Sequence, residues 1–152
     1  MSLELSSLDS NERIIVHEIG ISAIASVPAE LNVIVILGES GLGKSFALNA
    51  ICGSQAFKTG YGLDAVTKGS EVFILMPTES NELFGLRDKV SLAFVDLEGF
   101  GADHTSDSSY HMKLIAPFFA ISRILIWNIQ YPCAIGGRIL TNGKFESFRF
   151  KY

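Results

Sequence analysis

The sequence predicts an α/β fold with a mixed, mostly parallel sheet. Continuous β-branched runs ending in glycine or aspartate mark buried strands, helical spacing follows the first of them, and polar connections separate the rest. NVIVIL (32–37) has no polar alternation and reads as a strand covered on both faces. SFALNAIC (45–52) then places Phe46, Leu48 and Ile51 at helical spacing, with Gly53 as a stop.

The other elements follow in chain order. Residues 1–12 are polar and predict a loose tail, leaving 13–152 as one folded unit. RIIVHEIGISAIASV (13–27) predicts a strand passing into a helix. FKTGYGLDAVTKG (57–69), rich in Gly and Thr, reads as a long loop. EVFILMP (71–77) and VSLAFVD (90–96) are strands, and the polar TESNELFGLRDK (78–89) between them predicts an antiparallel hairpin at the sheet edge. HMKLIAPFFAIS (111–122) is helical with a disturbance at Pro117. RILIWNI (123–129) is the next strand, with Trp127 in the core, and Asn142-Gly143 predicts a hairpin within 136–152.

Composition narrows the function classes. With 152 residues, 48% hydrophobic and 18% charged, the chain has the length and apolar content for one domain with a sizeable core. A formal charge of −4 argues against general nucleic-acid binding. Cys52 and Cys133 have neither metal-ligand nor disulfide-framework spacing, and Cys52 reads as a buried small residue. The N-terminus lacks the basic and apolar regions of a signal peptide. The apolar run 114–129 is broken by Pro117 and Arg123, short of the ~20 residues of a transmembrane span, and no lipidation signature is present. A soluble, cytoplasmic chain is expected.

Gly38, Gly43, Lys44 and Ser45 fit G-x-x-x-x-G-K-[ST] between the first buried strand and its helix. Glycines let backbone N–H groups converge on phosphate oxygens, and the helix N-terminus adds donors and a partial positive charge. The nucleotide-binding candidates here are Gly38, Glu39, Ser40, Gly41, Leu42, Gly43, Lys44, Ser45 and Phe46. Lys44 would reach the terminal phosphates and Ser45 would ligate Mg²⁺. FVDLEGFG (94–101) gives D-x-x-G, with Asp96 toward the metal and Gly99 toward the γ-phosphate. Thr67, in the loop before the next strand, completes the expected metal set of Ser45, Thr67 and Asp96, with Asp96 acting directly or through water. Lys44 and Thr67 are the catalytic candidates. Lys68 is expected at the surface, as are His104 and His111, with a place for one of those two histidines near the γ-phosphate as the alternative; His17 lies in the N-terminal apolar segment.

Together with their flanks, these motifs resemble the G domain of guanylate-binding proteins and atlastins, the GB1/RHD3 group of the dynamin superfamily. The likeness rests on GKSFALNAICG, on TKG before the second strand, on VDLEGFG and on IWN at 126–128, and covers about residues 18 to 130. The loop and D-x-x-G also look septin-like; TKG and LEG favour the first family. The resemblance implies a P-loop NTPase-like three-layer sandwich, here truncated after the fourth core strand, that binds GTP or GDP with Mg²⁺ and hydrolyses GTP. It also implies homodimers or pairing with related large GTPases, and it leaves room for peripheral membrane association.

Three departures qualify that expectation. Gly41 stands where many relatives carry an arginine finger, a group contributing on the order of 10³–10⁵ in rate. Ala65 stands where guanylate-binding proteins place a serine that helps position the attacking water. No base-recognising aspartate follows Asn128, because the last aspartate is Asp107. Hydrolysis is therefore expected to be slow or partner-dependent. The alternative is a non-catalytic nucleotide-binding module, or a fragment that pairs with full-length relatives.

Overall fold

The computed structural model describes residues 1–9, 11, 13–27, 30–60, 67–86, 89–100, 108–128, 138–141 and 144–147. Its strands are β1 (Leu3–Leu8), β2 (Ile14–Val16), β3 (Glu30–Gly38), β4 (Ser70–Leu75), β5 (Val90–Leu97), β6 (Ser122–Asn128), β7 (Arg138–Thr141) and β8 (Lys144–Ser147). Its helices are α1 (Glu18–Ala25), α2 (Lys44–Ile51), α3 (Pro77–Phe84) and α4 (Ser108–Ile121). The fold is α/β, with a six-stranded mixed sheet in the order β2-β1-β4-β5-β3-β6 and, among the described residues, four helices.

Alternation along the central strands builds a core on each face. Val35 and Leu37 of β3 join Ala93, Val95 and Leu97 of β5 under Leu114 and Ile115 of α4, with Ile24 of α1 packed alongside. Ile34 and Ile36 join Leu92 and Phe94 under Leu48 of α2 and Cys52 at its C-cap on the other face. Phe84 of α3 lies against Phe94, so α3 shares the α2 side. No described helix is long and apolar enough to cross a membrane.

The sheet is less parallel than the sequence suggested. β3 runs parallel to β5 and β6, whereas the β1–β2, β1–β4 and β4–β5 ladders are antiparallel. The cause lies in the N-terminal segment, expected as a loose tail. Leu5 is buried, Ser6 and Ser70 share a hydrogen bond between their hydroxyls, and β1 pairs with β4. The Leu3–Leu5 alternation was the available signal; burying Leu5 contributes roughly 1.5–3 kcal/mol. β4 and β5 pair antiparallel as expected, but inside the sheet rather than at its edge.

Three local readings also change. The polar connection 78–89 contains a helix, α3, with Pro77 at its start and Glu79 Oε2 accepting the Met76 N–H at 2.9 Å. Helix α4 is where it was expected, with Pro117 inside it. Trp127 is 66% exposed rather than core, because among the described residues β6 is an edge strand. Along α2 the buried stripe runs through Lys44, Leu48, Asn49 and Cys52, leaving Phe46 and Ile51 exposed. The C-terminal pair β7 and β8 is antiparallel, with Thr141 opposite Lys144; Asn142 and Gly143, expected to form its turn, lie outside the described residues, as do Ala65, His104, Asp107 and Cys133.

Candidate phosphate and metal site

Parallel β3, β5 and β6 bring their carboxyl ends to one rim of the sheet. The chain crosses from β3 to β4 and β5 on one side and later returns to β6 on the other, so β3 sits at a topological switch point. The crevice outside the strand ends at such a point is where open α/β sheets bind ligands. The loop from Gly38 to Gly43 lies there.

That loop is held from several sides. The Ser40 N–H donates to the Phe100 carbonyl at 2.9 Å, and the Phe100 N–H donates to the Gly38 carbonyl at 3.1 Å. The D-x-x-G segment thus binds the loop backbone. Gly99 is required by close approach: a Cβ there would lie 2.4 Å from Ser40 Cα and 2.6 Å from Lys44 Nζ. Gly41 is exposed, as is Glu39, while Ser40 and Leu42 are half-buried.

Helix α2 opens toward this crevice. Its N-cap, Gly43, is left-handed at φ 77°, a conformation glycine adopts without steric cost, and no side chain caps the helix. Among the described residues, the N–H groups of Lys44, Ser45 and Phe46 also donate to no acceptor outside the helix. Unpaired donors at the positive end of a helix suit an anion. The Phe46 side chain is 69% exposed, so what it offers here is its backbone.

Lys44 is buried, and its Nζ donates to the Glu39 carbonyl at 3.0 Å. Burial lowers its pKa, while the charges of Asp96 and Glu98 oppose that shift. A buried ammonium beside unpaired N–H groups concentrates positive potential on the loop.

Ser45, Thr67 and Asp96 converge. Strand alternation puts Asp96 on the same face as Leu92 and Phe94, the α2 face, and Ser45 lies in the first turn of that helix. Thr67 arrives because β4 runs antiparallel to β5 with Ser70 opposite Leu97. The Ser45 hydroxyl donates to Asp96 Oδ2 at 2.6 Å, the Thr67 hydroxyl donates to the same oxygen at 2.9 Å, and the two hydroxyls lie 3.5 Å apart. Burial pushes the Asp96 carboxyl above the ordinary range; the two hydroxyls and Lys44 pull the other way. Asp96 Oδ1 is buried and has no hydrogen-bond partner among the described residues.

This donor set fits a hydrated Mg²⁺. Adjacent ligands of an octahedral ion with oxygens at 2.0–2.1 Å are about 3 Å apart, so the two hydroxyls, 3.5 Å apart, would draw closer on binding the ion. A metal-bound water would supply the proton that Asp96 Oδ1 lacks. Among the described residues no three His, Cys, Asp or Glu side chains are grouped as a metal cage. The available protein ligands are therefore hard oxygens, the kind Mg²⁺ supplements with water and phosphate.

Sequence reasoning missed three supports. Glu98 is buried; its Oε2 accepts the Gly69 N–H at 2.8 Å, and its own N–H donates to the Gly69 carbonyl at 2.8 Å. That pair fixes the chain two residues beyond Thr67. Asn49 clamps the start of the same segment, its side chain bonding both the carbonyl and the N–H of Phe57 at 2.9 Å. Asn128, at the end of β6, donates to the Leu42 carbonyl at 2.8 Å. Glu98 and Asn128 stood inside the quoted motifs, but a sequence does not show which backbone group a polar side chain meets. His111, expected at the surface, is buried with its ring edge-on to Phe100. His17 is half-buried, its ring nitrogen 2.7 Å from the Ser7 hydroxyl.

Comparison with models of known protein families finds no match, and comparison with curated proteins finds none. The site's meaning rests on its geometry and on the motifs in the sequence.

Proposed function

We propose that the chain is a Mg²⁺-dependent GTP-binding domain of the guanylate-binding-protein and atlastin type, built as a P-loop NTPase sandwich, with slow or partner-dependent hydrolysis. The observation that carries this reading is the meeting of the Ser45 and Thr67 hydroxyls on Asp96 Oδ2, beside the uncapped start of α2. In this reading the N–H groups from Gly43 to Phe46 cradle phosphate oxygens and Lys44 neutralises the terminal phosphates. Ser45 and Thr67 hold the metal, and Asp96 orients its water. Bound Mg²⁺ would supply charge neutralisation at the β- and γ-phosphate oxygens. Gly99 allows its segment to pass against Ser40, bringing a backbone N–H near the γ-phosphate.

The guanine assignment derives from the family resemblance. Calorimetric titration with GTP, GDP and ATP in Mg²⁺ tests it: GTP and GDP are expected to bind and ATP to bind more weakly. Preference for ATP would remove the guanine assignment and leave the phosphate cradle. Binding by none of the three would sink the proposal.

A second reading, a non-catalytic nucleotide-binding module that pairs with related large GTPases, is favoured by Gly41, which offers no side-chain charge in the exposed part of the loop. Single-turnover phosphate release separates the two. Release that disappears in Lys44→Ala supports the enzyme, and none in the native chain supports the module.

A further inference from the structure

Asn128 meets the loop between β3 and α2 at both of its ends. Its backbone lies opposite Gly38 in the β3–β6 register, so close that a Cβ on Gly38 would sit 2.2 Å from the Asn128 carbonyl oxygen. Its side-chain amide donates to the Leu42 carbonyl at 2.8 Å, 86 residues away in sequence. One residue therefore abuts the glycine that opens the loop and holds the carbonyl next to the glycine that closes it.

Peptide planarity turns that contact into a consequence for the site. In a trans peptide the C=O and the following N–H point in opposite directions. Tying the Leu42 carbonyl toward Asn128 turns the Gly43 N–H to the opposite side of the loop. Among the described residues that N–H donates to nothing. It belongs to the N-cap of α2, directly before the uncapped first turn. Gly43 is at φ 77°, and without a Cβ it has little intrinsic preference holding this peptide in one orientation. An external tether is what fixes it.

We propose that Asn128 is a positioning residue of the phosphate cradle: by holding the Leu42 carbonyl it aims the Gly43 N–H at a phosphate oxygen and sets affinity without touching the ligand. This rests on the nucleotide-binding reading above. The chemistry requires a neutral donor at position 128, since a carboxylate there would face the Leu42 carbonyl oxygen with no proton to share.

GDP with Mg²⁺ is the probe, titrated against the native chain, Asn128→Asp and Asn128→Ala. Melting is measured without nucleotide, and the Gly43 amide resonance is followed by NMR. The native chain is expected to bind and to shift the Gly43 amide proton downfield on saturation. Both variants are expected to bind on the order of tenfold more weakly and to lose most of that shift, while the nucleotide-free melting of Asn128→Ala stays close to native and that of Asn128→Asp falls below it. Asn128→Ala adds no charge and serves if Asn128→Asp fails to fold. Native affinity in either folded variant, with the Gly43 shift retained, would overturn the role of Asn128 and leave the nucleotide site standing. A native chain that binds GDP without moving the Gly43 amide would do the same. No binding by the native chain would overturn both.

Discussion

The Ser45 hydroxyl lies 2.6 Å from Asp96 Oδ2, joining the first turn of α2 to the end of β5 across 51 residues of sequence. The contact follows from two simple periodicities. Parity along β5 sends Asp96 to the α2 face, and the helix starts where parallel β3 ends. Thr67 donates to the same oxygen, so a single carboxylate gathers three separate segments.

Charge at Asp96 is expected to oppose folding in the absence of metal. Its pKa is raised by burial, against the pull of Ser45, Thr67 and Lys44. Folding thus favours the protonated form. That contribution is fully present below the ordinary carboxylate range and is lost as pH rises through the raised value. At neutral pH in EDTA, Asp96→Asn should stabilise the chain. Chemical denaturation should show the gain vanishing on acidification below the ordinary range. The same variant should no longer gain stability from Mg²⁺ with GTP.

Gly99 has no room for a side chain, since an added Cβ would lie 2.5 Å from the Ser40 nitrogen. The two nearest obstructing atoms are Ser40 backbone and the third is Lys44 Nζ, so Gly99→Ala must displace the loop and crowd the buried lysine. It should cost about 1–3 kcal/mol by denaturant titration and weaken nucleotide binding as well. Unchanged affinity at reduced stability would separate Gly99 from the phosphate site.

Thr67 is buried and contributes its hydroxyl to Asp96. Thr67→Ser keeps that oxygen and Thr67→Ala removes it. The alanine variant should lose roughly tenfold in Mg²⁺-dependent GTP affinity, with GDP binding little changed and the serine variant near native. Equal losses in both would point to packing of the methyl group instead.

The Glu98 carboxylate accepts the Gly69 N–H, and Glu98→Gln can preserve an acceptor where Glu98→Ala cannot. Leaving a buried N–H unsatisfied costs about 1–3 kcal/mol. Hydrogen exchange at the Gly69 amide should accelerate in the alanine variant by the corresponding factor and remain slow in the glutamine variant.

The sequence made legible what depends on local pattern. β3 and α2 fall close to where the β-branched run and the helical spacing put them, and the motifs singled out Ser45, Thr67 and Asp96, whose side chains the fold brings together. Less legible was everything decided by neighbours. Leu3–Leu8 reads as polar until β4 offers it a partner, and Trp127 reads as core until β6 is seen at an edge. Lys44 occupies the stripe of α2 that apolar spacing had given to Phe46 and Ile51. The supports contributed by Asn49, Glu98 and Asn128 are side chain to backbone contacts across the fold, which periodicity does not encode.

Equilibrium titration of GTP into the native chain and into Lys44→Ala, each with Mg²⁺ and with EDTA, is the most direct measurement. Lys44 is the cation buried at the loop, and Ser45, Thr67 and Asp96 are the oxygens gathered beside it. The native chain with Mg²⁺ should bind one GTP, bind it more weakly in EDTA, and lose most of its affinity when Lys44 becomes alanine. Absence of GTP binding in the native chain, or binding indifferent to both Mg²⁺ and Lys44, would contradict a phosphate and metal site at this rim of the sheet.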